Sequence, residues 1–270
     1  MTPTLAAQAE ATARSPAEVY EQRFVPALFR QWGPLLCEAA QIGPGQHVLD
    51  VACGTGALTA AVAERVAPGG AVTGLDVNPQ MIAVARRKHA GIEWHEGRAE
   101  ALPFPDATFD AVVSQFGLMF FDDRTQALRE MQRVLRPGRP LVIAVCDALE
   151  NSPGYAALAA LLDRLFGTAV GDAFRSPFAL GDEGQLLALC TAAGVRDAKV
   201  VRRQGTVRFD SVDALVATER ACVWTLGGLL GDAQFARLRT AAQPVFEPFV
   251  EPGGRVAFAM PALLICAGKR

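Results

Sequence analysis

Short apolar segments alternate with helical segments between residues 45 and 147, and this rhythm constrains the fold more than any other feature of the sequence. The apolar segments, such as PLVIAVC at residues 140–146, lack the polar alternation of a half-exposed strand. Strands of this kind are buried on both faces of a parallel sheet, and helices of about 10–13 residues connect them. We therefore expect an α/β fold with a mostly parallel sheet.

The first strand of the series leads into a glycine loop, within VLDVACGTGALT at residues 48–59. Asp50 lies in the strand, and Gly54 and Gly56 bracket a tight turn that opens onto a helix. Glycine is needed where the backbone passes close to a ligand or takes a positive φ angle. Since α/β sheets bind nucleoside ligands at the carboxyl ends of their strands, the loop predicts such a site.

The second strand ends at Asp76, 20 residues after Gly56, where a carboxylate can accept hydrogens from ribose hydroxyls. Thr59 stands where a dinucleotide-binding loop has its third glycine or an alanine, and Asp50 would lie unfavourably near a pyrophosphate. A ligand with an ammonium and a sulfonium group and no phosphate suits this arrangement better. S-adenosylmethionine is such a ligand.

Four segments, in this order along the chain, resemble the class I S-adenosylmethionine-dependent methyltransferases. They are similar in particular to the "type 11" group, which includes the ubiquinone/menaquinone-biosynthesis methyltransferases. The resemblance covers roughly residues 45–147, and its segments are VLDVACGTG, VTGLDVNPQMI, GRAEALPFPDATFDAVVSQFGLMFF and LREMQRVLRPGRPLVIAV.

The resemblance implies a Rossmann-like, seven-stranded sheet in the order 3-2-1-4-5-7-6, with residues 255–268 as the antiparallel seventh strand. It also implies a cofactor site in which the glycine loop faces the methionine moiety and Asp76 holds the ribose. Val77 and Met81 would line the adenine, which Ala99 would approach through its backbone. The expected cofactor-binding residues are Asp50, Cys53, Gly54, Gly56, Asp76, Val77, Met81, Arg98, Ala99 and Gln115.

One position departs from the family pattern. Relatives commonly read GDAxxLPF, whereas this chain has Gly97-Arg98-Ala99. Because an arginine side chain has no hydrogen-bond acceptor, the adenine amino group needs another one, such as Glu100 or a backbone carbonyl.

Helical segments outside the four motifs are expected to close the site. We interpret residues 1–270 as a single methyltransferase domain with an N-terminal helical segment at 15–42 and helical cap inserts at 151–180 and 210–250. In this family such segments fold over the site, where they would form an apolar pocket. The expected pocket residues are Phe24, Trp32, Phe116, Phe120 and Trp224.

Catalytic and metal-binding residues are less evident. Asp147, just past the fifth strand, is at the correct end of the sheet for a general base, although a turn or capping role suits it as well. The six cysteines form no CxxC pair and no cluster with histidine, so we expect neither a metal site nor a disulfide framework.

A net charge of −2 and a pI of about 6.0 disfavour nucleic-acid binding. The longest apolar run is too short to span a bilayer, and the first residues lack the apolar stretch of a secretory signal. We expect a cytoplasmic protein, a monomer or a homodimer, with a small-molecule substrate.

The function predicted from these features is S-adenosylmethionine-dependent methyl transfer to a small apolar or aromatic metabolite, at an oxygen, carbon or nitrogen atom. Two alternatives remain at this point. One is a nicotinamide-dependent reductase on the same type of sheet, and the other is a non-catalytic module that binds S-adenosylmethionine.

Overall fold

The described part of the chain, residues 15–222 and 225–269 of a computed structural model, contains nine β-strands. They are β1 (His47–Val51), β2 (Ala71–Asp76), β3 (Glu93–Glu96), β4 (Ala111–Gln115), β5 (Pro140–Cys146), β6 (Lys199–Arg203), β7 (Thr206–Phe209), β8 (Val256–Ala259) and β9 (Ala262–Gly268).

Seven of these strands form one sheet in the order β3-β2-β1-β4-β5-β9-β6. Strands β1 to β5 are parallel, and β9 runs antiparallel between β5 and β6. With β9 as the seventh strand of the family, the predicted order is confirmed. The sheet is mostly parallel because apolar runs such as Leu141–Cys146 are buried on both faces and carry no solvent-facing alternation.

Residues 198–209 and residues 255–268, the second of which was predicted as one strand, are each divided into two strands. Residues 198–209 change direction around Gly205, and the last segment breaks at Met260 and Pro261, so that β7 and β8 pair in a separate ribbon. A Cβ atom on Gly205 would lie 2.2 Å from the Trp32 ring, and the Met260 N–H donates to the Gly205 carbonyl at 2.9 Å. The proline lacks an N–H for the ladder, which is why the strand ends there.

The helices follow the predicted start signals. Asn78 caps the helix that begins at Pro79, and Ser15 and Glu18 form a capping box at the first described helix. The helices are α1 (Pro16–Val19), α2 (Trp32–Ala39), α3 (Ala57–Val66), α4 (Pro79–Lys88), α5 (Arg124–Val134), α6 (Pro153–Phe166), α7 (Thr168–Arg175), α8 (Glu183–Ala192), α9 (Val212–Ala221) and α10 (Asp232–Phe246).

Pro26 does not break the helical segment in which it lies. From α1 the chain continues as a π-helix, Tyr20–Phe29, straight through Pro26. The wider π turn accommodates a proline ring that would press on the preceding carbonyls of an α-helix. Glu18 and Glu21 tie this segment to the end of α4 through ion pairs with Arg87 (2.9 Å) and Lys88 (2.7 Å).

The described residues of the two inserts, 151–180 and 210–250, are mostly helical. Helix α6 packs against α7 and α10, and α9 packs against both α10 and the π-helix. Helices α9 and α10 lie between β7 and β8 in the chain, so the ribbon forms the base of this insert. In the part of the chain that the structure describes, no helix is both long enough and apolar enough to cross a membrane.

Asp147 connects the central sheet to its edge. It follows β5 directly, is buried, and accepts hydrogen bonds from Arg202 of β6 at 2.6 Å and from the Ala148 N–H at 2.8 Å. The guanidinium therefore compensates a carboxylate that has lost its contact with water.

Replacing Arg202 by methionine should leave the Asp147 carboxylate buried with only one strong donor. We expect Arg202→Met to lower the free energy of unfolding by about 1–3 kcal/mol, as measured by urea denaturation. Arg203→Met, at the exposed neighbouring position of the same strand, is the matched control and should have little effect. Equal stabilities for the two variants would contradict a structural role for the ion pair.

Candidate active site

A cavity of about 390 Å³ opens at the carboxyl ends of β1, β2, β4 and β5. The N-terminal helical segment and both inserts close it from the other side, since residues of all three line it. We name two parts of the wall. The loop end consists of Tyr20, Ala52, Gly54, Asp76, Val77, Asn78, Met81, Arg98, Ala99, Glu100, Gln115 and Asp122; the aromatic chamber consists of Phe24, Phe29, Phe116, Phe120, Tyr155, Phe174, Phe178, Glu219 and Thr225.

Asp50 lies beneath the glycine loop and does not reach the cavity wall. It is fully buried, and the Thr59 hydroxyl donates to its Oδ2 atom at 2.6 Å. The Oδ1 atom has no hydrogen-bond partner among the described residues. Burial raises the pKa of Asp50 to about 7, although the bond from Thr59 opposes this shift. Thr59, which replaces the third glycine of a dinucleotide loop, thus holds the buried acid.

The two glycines of the loop have different surroundings. Gly54 lines the cavity with a φ of 56°, next to the Tyr20 ring. Gly56 does not line it, and a Cβ atom there would lie 2.6 Å from the Trp94 ring. Cys53 is also off the wall, packed in a cluster with Trp94. Gly56 and Cys53 therefore shape the loop from behind, whereas the sequence pattern placed all three at the cofactor.

Asp76 connects the glycine loop to the loop after β2. Its Oδ2 atom accepts the Gly54 N–H at 2.8 Å, and its Oδ1 atom accepts the Asn78 N–H at 2.8 Å. Burial raises the pKa of this carboxyl, while hydrogen bonds from the backbone of Asn78, Gly54 and Val77 act in the opposite direction. Val77, which is 62% exposed, and the buried Met81 lie beside it on the wall. The Asp76 carboxylate therefore lies next to the apolar side chains of Val77 and Met81 on the cavity wall.

The Arg98 guanidinium pairs with Asp122 and, at 3.4 Å, with Glu100. Glu100 also accepts the Asp122 N–H at 3.0 Å, so its carboxylate organises the loop after β4. Arg98 and Ala99 both line the cavity. Gln115 lines it too, and its side-chain NH₂ donates to the Phe29 carbonyl at 3.2 Å.

Three of the five predicted pocket residues, Phe24, Phe116 and Phe120, line the cavity. Trp32 is fully buried behind the wall, edge-on to Phe116 with ring centroids 5.5 Å apart. Trp224 lies outside the described residues. Trp32 supports the chamber because its indole is held between the sheet and Gly205.

Glu219 and Tyr155 are two wall residues that the sequence analysis did not identify. Glu219 is only 2% exposed and accepts a hydrogen bond from the Thr225 hydroxyl at 3.2 Å. Burial raises its pKa to about 7, and hydrogen bonds from Tyr155 and Thr225 act against the shift. The signal was present in the sequence, because Glu219 stands four residues after Leu215 and three after Val216, on the apolar face of α9.

Asp147 is not on the cavity wall, because its carboxylate is directed to Arg202. The residues that the structure describes contain no group of three or more histidine, cysteine, aspartate or glutamate side chains able to hold a metal ion.

The cavity wall is acidic. Asp76, Glu100, Asp122 and Glu219 line it, and among the described residues the single base on the wall is Arg98, which is itself paired with two of them. Polyphosphate ligands require cationic groups or free backbone amides, and here Asp76 occupies the Gly54 amide. The electrostatics favour a ligand that carries positive charge.

Comparisons with known proteins agree with this geometry. Residues 48–138 match the family described as a methyltransferase domain. A demethylmenaquinone methyltransferase of Chlorobaculum parvum is 50% identical over 91 residues, covering 34% of this chain and 37% of that protein. A ubiquinone/menaquinone biosynthesis C-methyltransferase of Hahella chejuensis is 43% identical over 122 residues, 43% of this chain and 49% of that protein.

The matched part spans less than half the length of these two curated relatives. The YcgJ protein of Bacillus subtilis has a similar structure, with a TM-score of 0.60 and 18% identity over 89% of this chain and 98% of that chain. This similarity extends the shared fold beyond the motifs to most of the chain. Residues 48–138 therefore carry a methyltransferase domain, and the curated proteins to which this part is similar include ubiquinone/menaquinone-biosynthesis methyltransferases.

Proposed function

We propose that this protein transfers a methyl group from S-adenosylmethionine to a small apolar acceptor with an aromatic ring. The observation that carries the proposal is the composition of the cavity wall, in which an acidic loop end adjoins an aromatic chamber. A cationic, phosphate-free nucleoside suits the first part, and a flat apolar molecule suits the second.

The residues of the loop end fit S-adenosylmethionine. The Asp76 carboxylate would accept hydrogens from the ribose hydroxyls, and Val77 and Met81 would contact the adenine. The unpartnered Oδ1 atom of Asp50 places a negative charge beneath the loop, where it would attract the ammonium and sulfonium groups. Backbone groups around Ala99 would approach the adenine edge, since the Arg98 side chain is turned to Asp122 and Glu100.

The acceptor would lie in the aromatic chamber, between rings from the π-helix, the loop after β4 and α6. Phe29 and Phe116 pack with centroids 5.6 Å apart, and Tyr155 packs edge-on against Phe174 at 5.7 Å. The names of the relatives from Chlorobaculum parvum and Hahella chejuensis describe quinone-biosynthesis enzymes, the second a C-methyltransferase. On that basis we propose a hydroxylated aromatic ring as the acceptor and a ring carbon as the methylated atom.

When bound, S-adenosylmethionine supplies an activated methyl group together with its leaving group. What the protein contributes is the alignment of the acceptor with that methyl group and the exclusion of water. The N-terminal segment serves both purposes, because Tyr20 lies over the glycine loop while Phe24 and Phe29 belong to the chamber.

Specific observations argue against both alternatives derived from the sequence, the nicotinamide-dependent reductase and the non-catalytic binding module. A nicotinamide dinucleotide would bring its pyrophosphate to an acidic wall, where Arg98 is paired with Asp122 and Glu100. A non-catalytic binding module has no use for an aromatic chamber that adjoins the cofactor end and carries a buried acid of its own.

Asp76→Asn removes one of the two carboxylate oxygens and turns an amide towards backbone donors. We expect it to weaken S-adenosylhomocysteine binding at least tenfold in calorimetric titration, which corresponds to about 1.4 kcal/mol. Exposed Asp210→Asn is the matched control and should bind as the wild type does. Wild-type binding of NADH in preference to S-adenosylhomocysteine would contradict the proposal.

The raised pKa of Asp50 predicts a pH dependence of binding. With a pKa of about 7 in the free protein, Asp50 is protonated in acid and must lose its proton to stabilise a cationic ligand. The affinity for S-adenosylmethionine should therefore be constant above pH 8 and fall as the pH is lowered from 7 to 6. Calorimetry at several pH values should show this slope, and Asp50→Asn should flatten it. A slope unchanged by the substitution would contradict the assignment to Asp50.

A further inference from the structure

Glu219 is a buried acid on the wall of the aromatic chamber. The cofactor-binding roles proposed for the glycine loop and Asp76 give this side chain no function. It lies in the second insert, in the last turns of α9, with its side chain among the wall residues of the cavity. Burying a carboxylate is costly unless a cation or several donors compensate it. No cationic side chain of the described residues contributes to its pKa; the groups that stabilise its charge are Tyr155 and Thr225.

Its two partners hold the carboxylate from different elements. Thr225, after α9, donates to the Oε2 atom at 3.2 Å. Tyr155, on α6 of the first insert, forms a hydrogen bond with the same side chain. The tyrosine ring is itself fixed by edge-on contacts with Phe178 (5.9 Å) and Phe258 (5.0 Å). The carboxylate is thus held in place at the wall.

A purely structural explanation of Glu219 is insufficient. A glutamine would accept the same two hydrogen bonds and would avoid the cost of burying a titratable group. The free-energy cost of burying this carboxylate has a function if the carboxylate contacts a ligand group that donates a hydrogen bond and gives up a proton. The walls around it are aromatic, so the ligand group has to sit on a flat apolar body.

We infer that Glu219 binds a ring hydroxyl of the acceptor and accepts its proton during methyl transfer, while Tyr155 and Thr225 hold the carboxylate in position. This inference rests on the proposed function and specifies its acceptor as a phenol-type ring. Glu219 is the catalytic base of the reaction, and Tyr155 and Thr225 are positioning residues.

In the proposed reaction, each bond that forms is matched by a bond that breaks. As the O–H proton passes to Glu219, the oxygen pair conjugates into the ring, and a ring carbon forms its bond to the methyl group. The bond between sulfur and that methyl carbon breaks, and its electron pair stays on sulfur. The ring carbon then loses its hydrogen as a proton to solvent, which restores the aromatic ring, and Glu219 returns its proton to the oxygen. The net products are the methylated ring, S-adenosylhomocysteine and one proton.

The pKa of about 7 is consistent with this role, because a base with a pKa near the working pH both accepts and returns a proton readily. The other titratable groups on this part of the wall are Tyr155 and the thiols of Cys146 and Cys222. None of these groups carries a positive charge that would neutralise the Glu219 carboxylate.

The experiment measures binding of three matched probes to the wild-type protein saturated with S-adenosylhomocysteine. The probes are 1-naphthol, 1-methoxynaphthalene, which lacks the hydroxyl hydrogen, and 1-naphthylmethylamine, which carries an ammonium group. We expect 1-naphthol to bind about tenfold more tightly than 1-methoxynaphthalene. Absence of this preference in the wild type overturns the inference, and so does tightest binding of the amine, which would assign the carboxylate to cation recognition.

Glu219→Gln should reduce the preference for 1-naphthol to less than about threefold without changing the affinity for S-adenosylhomocysteine. Glu64→Gln, the same change on the exposed face of α3, is the control and should keep the full preference. Retention of the preference in Glu219→Gln overturns the inference. If that variant does not fold, Tyr155→Phe, which keeps the ring and removes one bond to Glu219, should lower the preference severalfold, and an unchanged preference overturns the inference.

The two hypotheses fail separately. If S-adenosylhomocysteine does not bind the wild type, the proposed function is wrong. If it binds normally but 1-naphthol shows no dependence on Glu219, only the role of Glu219 is wrong.

Discussion

The Asp76 carboxylate is the interaction on which the arrangement of the site depends. It accepts one backbone N–H from the glycine loop and one from the loop after β2, at 2.8 Å each. Loops after two neighbouring parallel strands have no ladder of their own to fix them, so a shared acceptor sets their distance. The same carboxylate faces the cavity, which means that a ligand bound there meets a group already fixed by the backbone.

A second constraint is the uneven charge of the cavity. Acids line it from the sheet, from the loop after β4 and from the cap, and Arg98 on the wall is engaged with two of them. Desolvation keeps the pKa values of Asp50 and Glu219 near 7, so the free protein reduces its own charge repulsion by holding protons. A bound cationic ligand favours the charged form of these carboxylates instead. Binding of the ligand is therefore linked to the release of their protons.

The sequence was sufficient to predict the central sheet, because continuous apolar runs and capped helices are local signals. Asp76 and Gly54 were found for the same reason, as they stand at fixed positions after strands. Glu219 and Tyr155 were missed because they are 64 residues apart in the sequence and meet only through the packing of the two inserts. Asp147 was located at the correct end of the sheet, but only the antiparallel placement of β9 and β6 shows that Arg202 reaches it.

The ribbon of β7 and β8 has a consequence for how such a protein diversifies. The chain leaves the main sheet after β6 and returns to it at β9, and the paired strands between them clamp the two ends of the insert together. Residues 210–255 can therefore lengthen, shorten or change composition without altering the register of any strand that supports the cofactor end. Since Glu219 belongs to this insert, the residue that we propose to meet the acceptor lies apart from the strands that support the cofactor end. On the proposed role of Glu219, exchange of the insert between related chains would change the acceptor and leave the cofactor end intact.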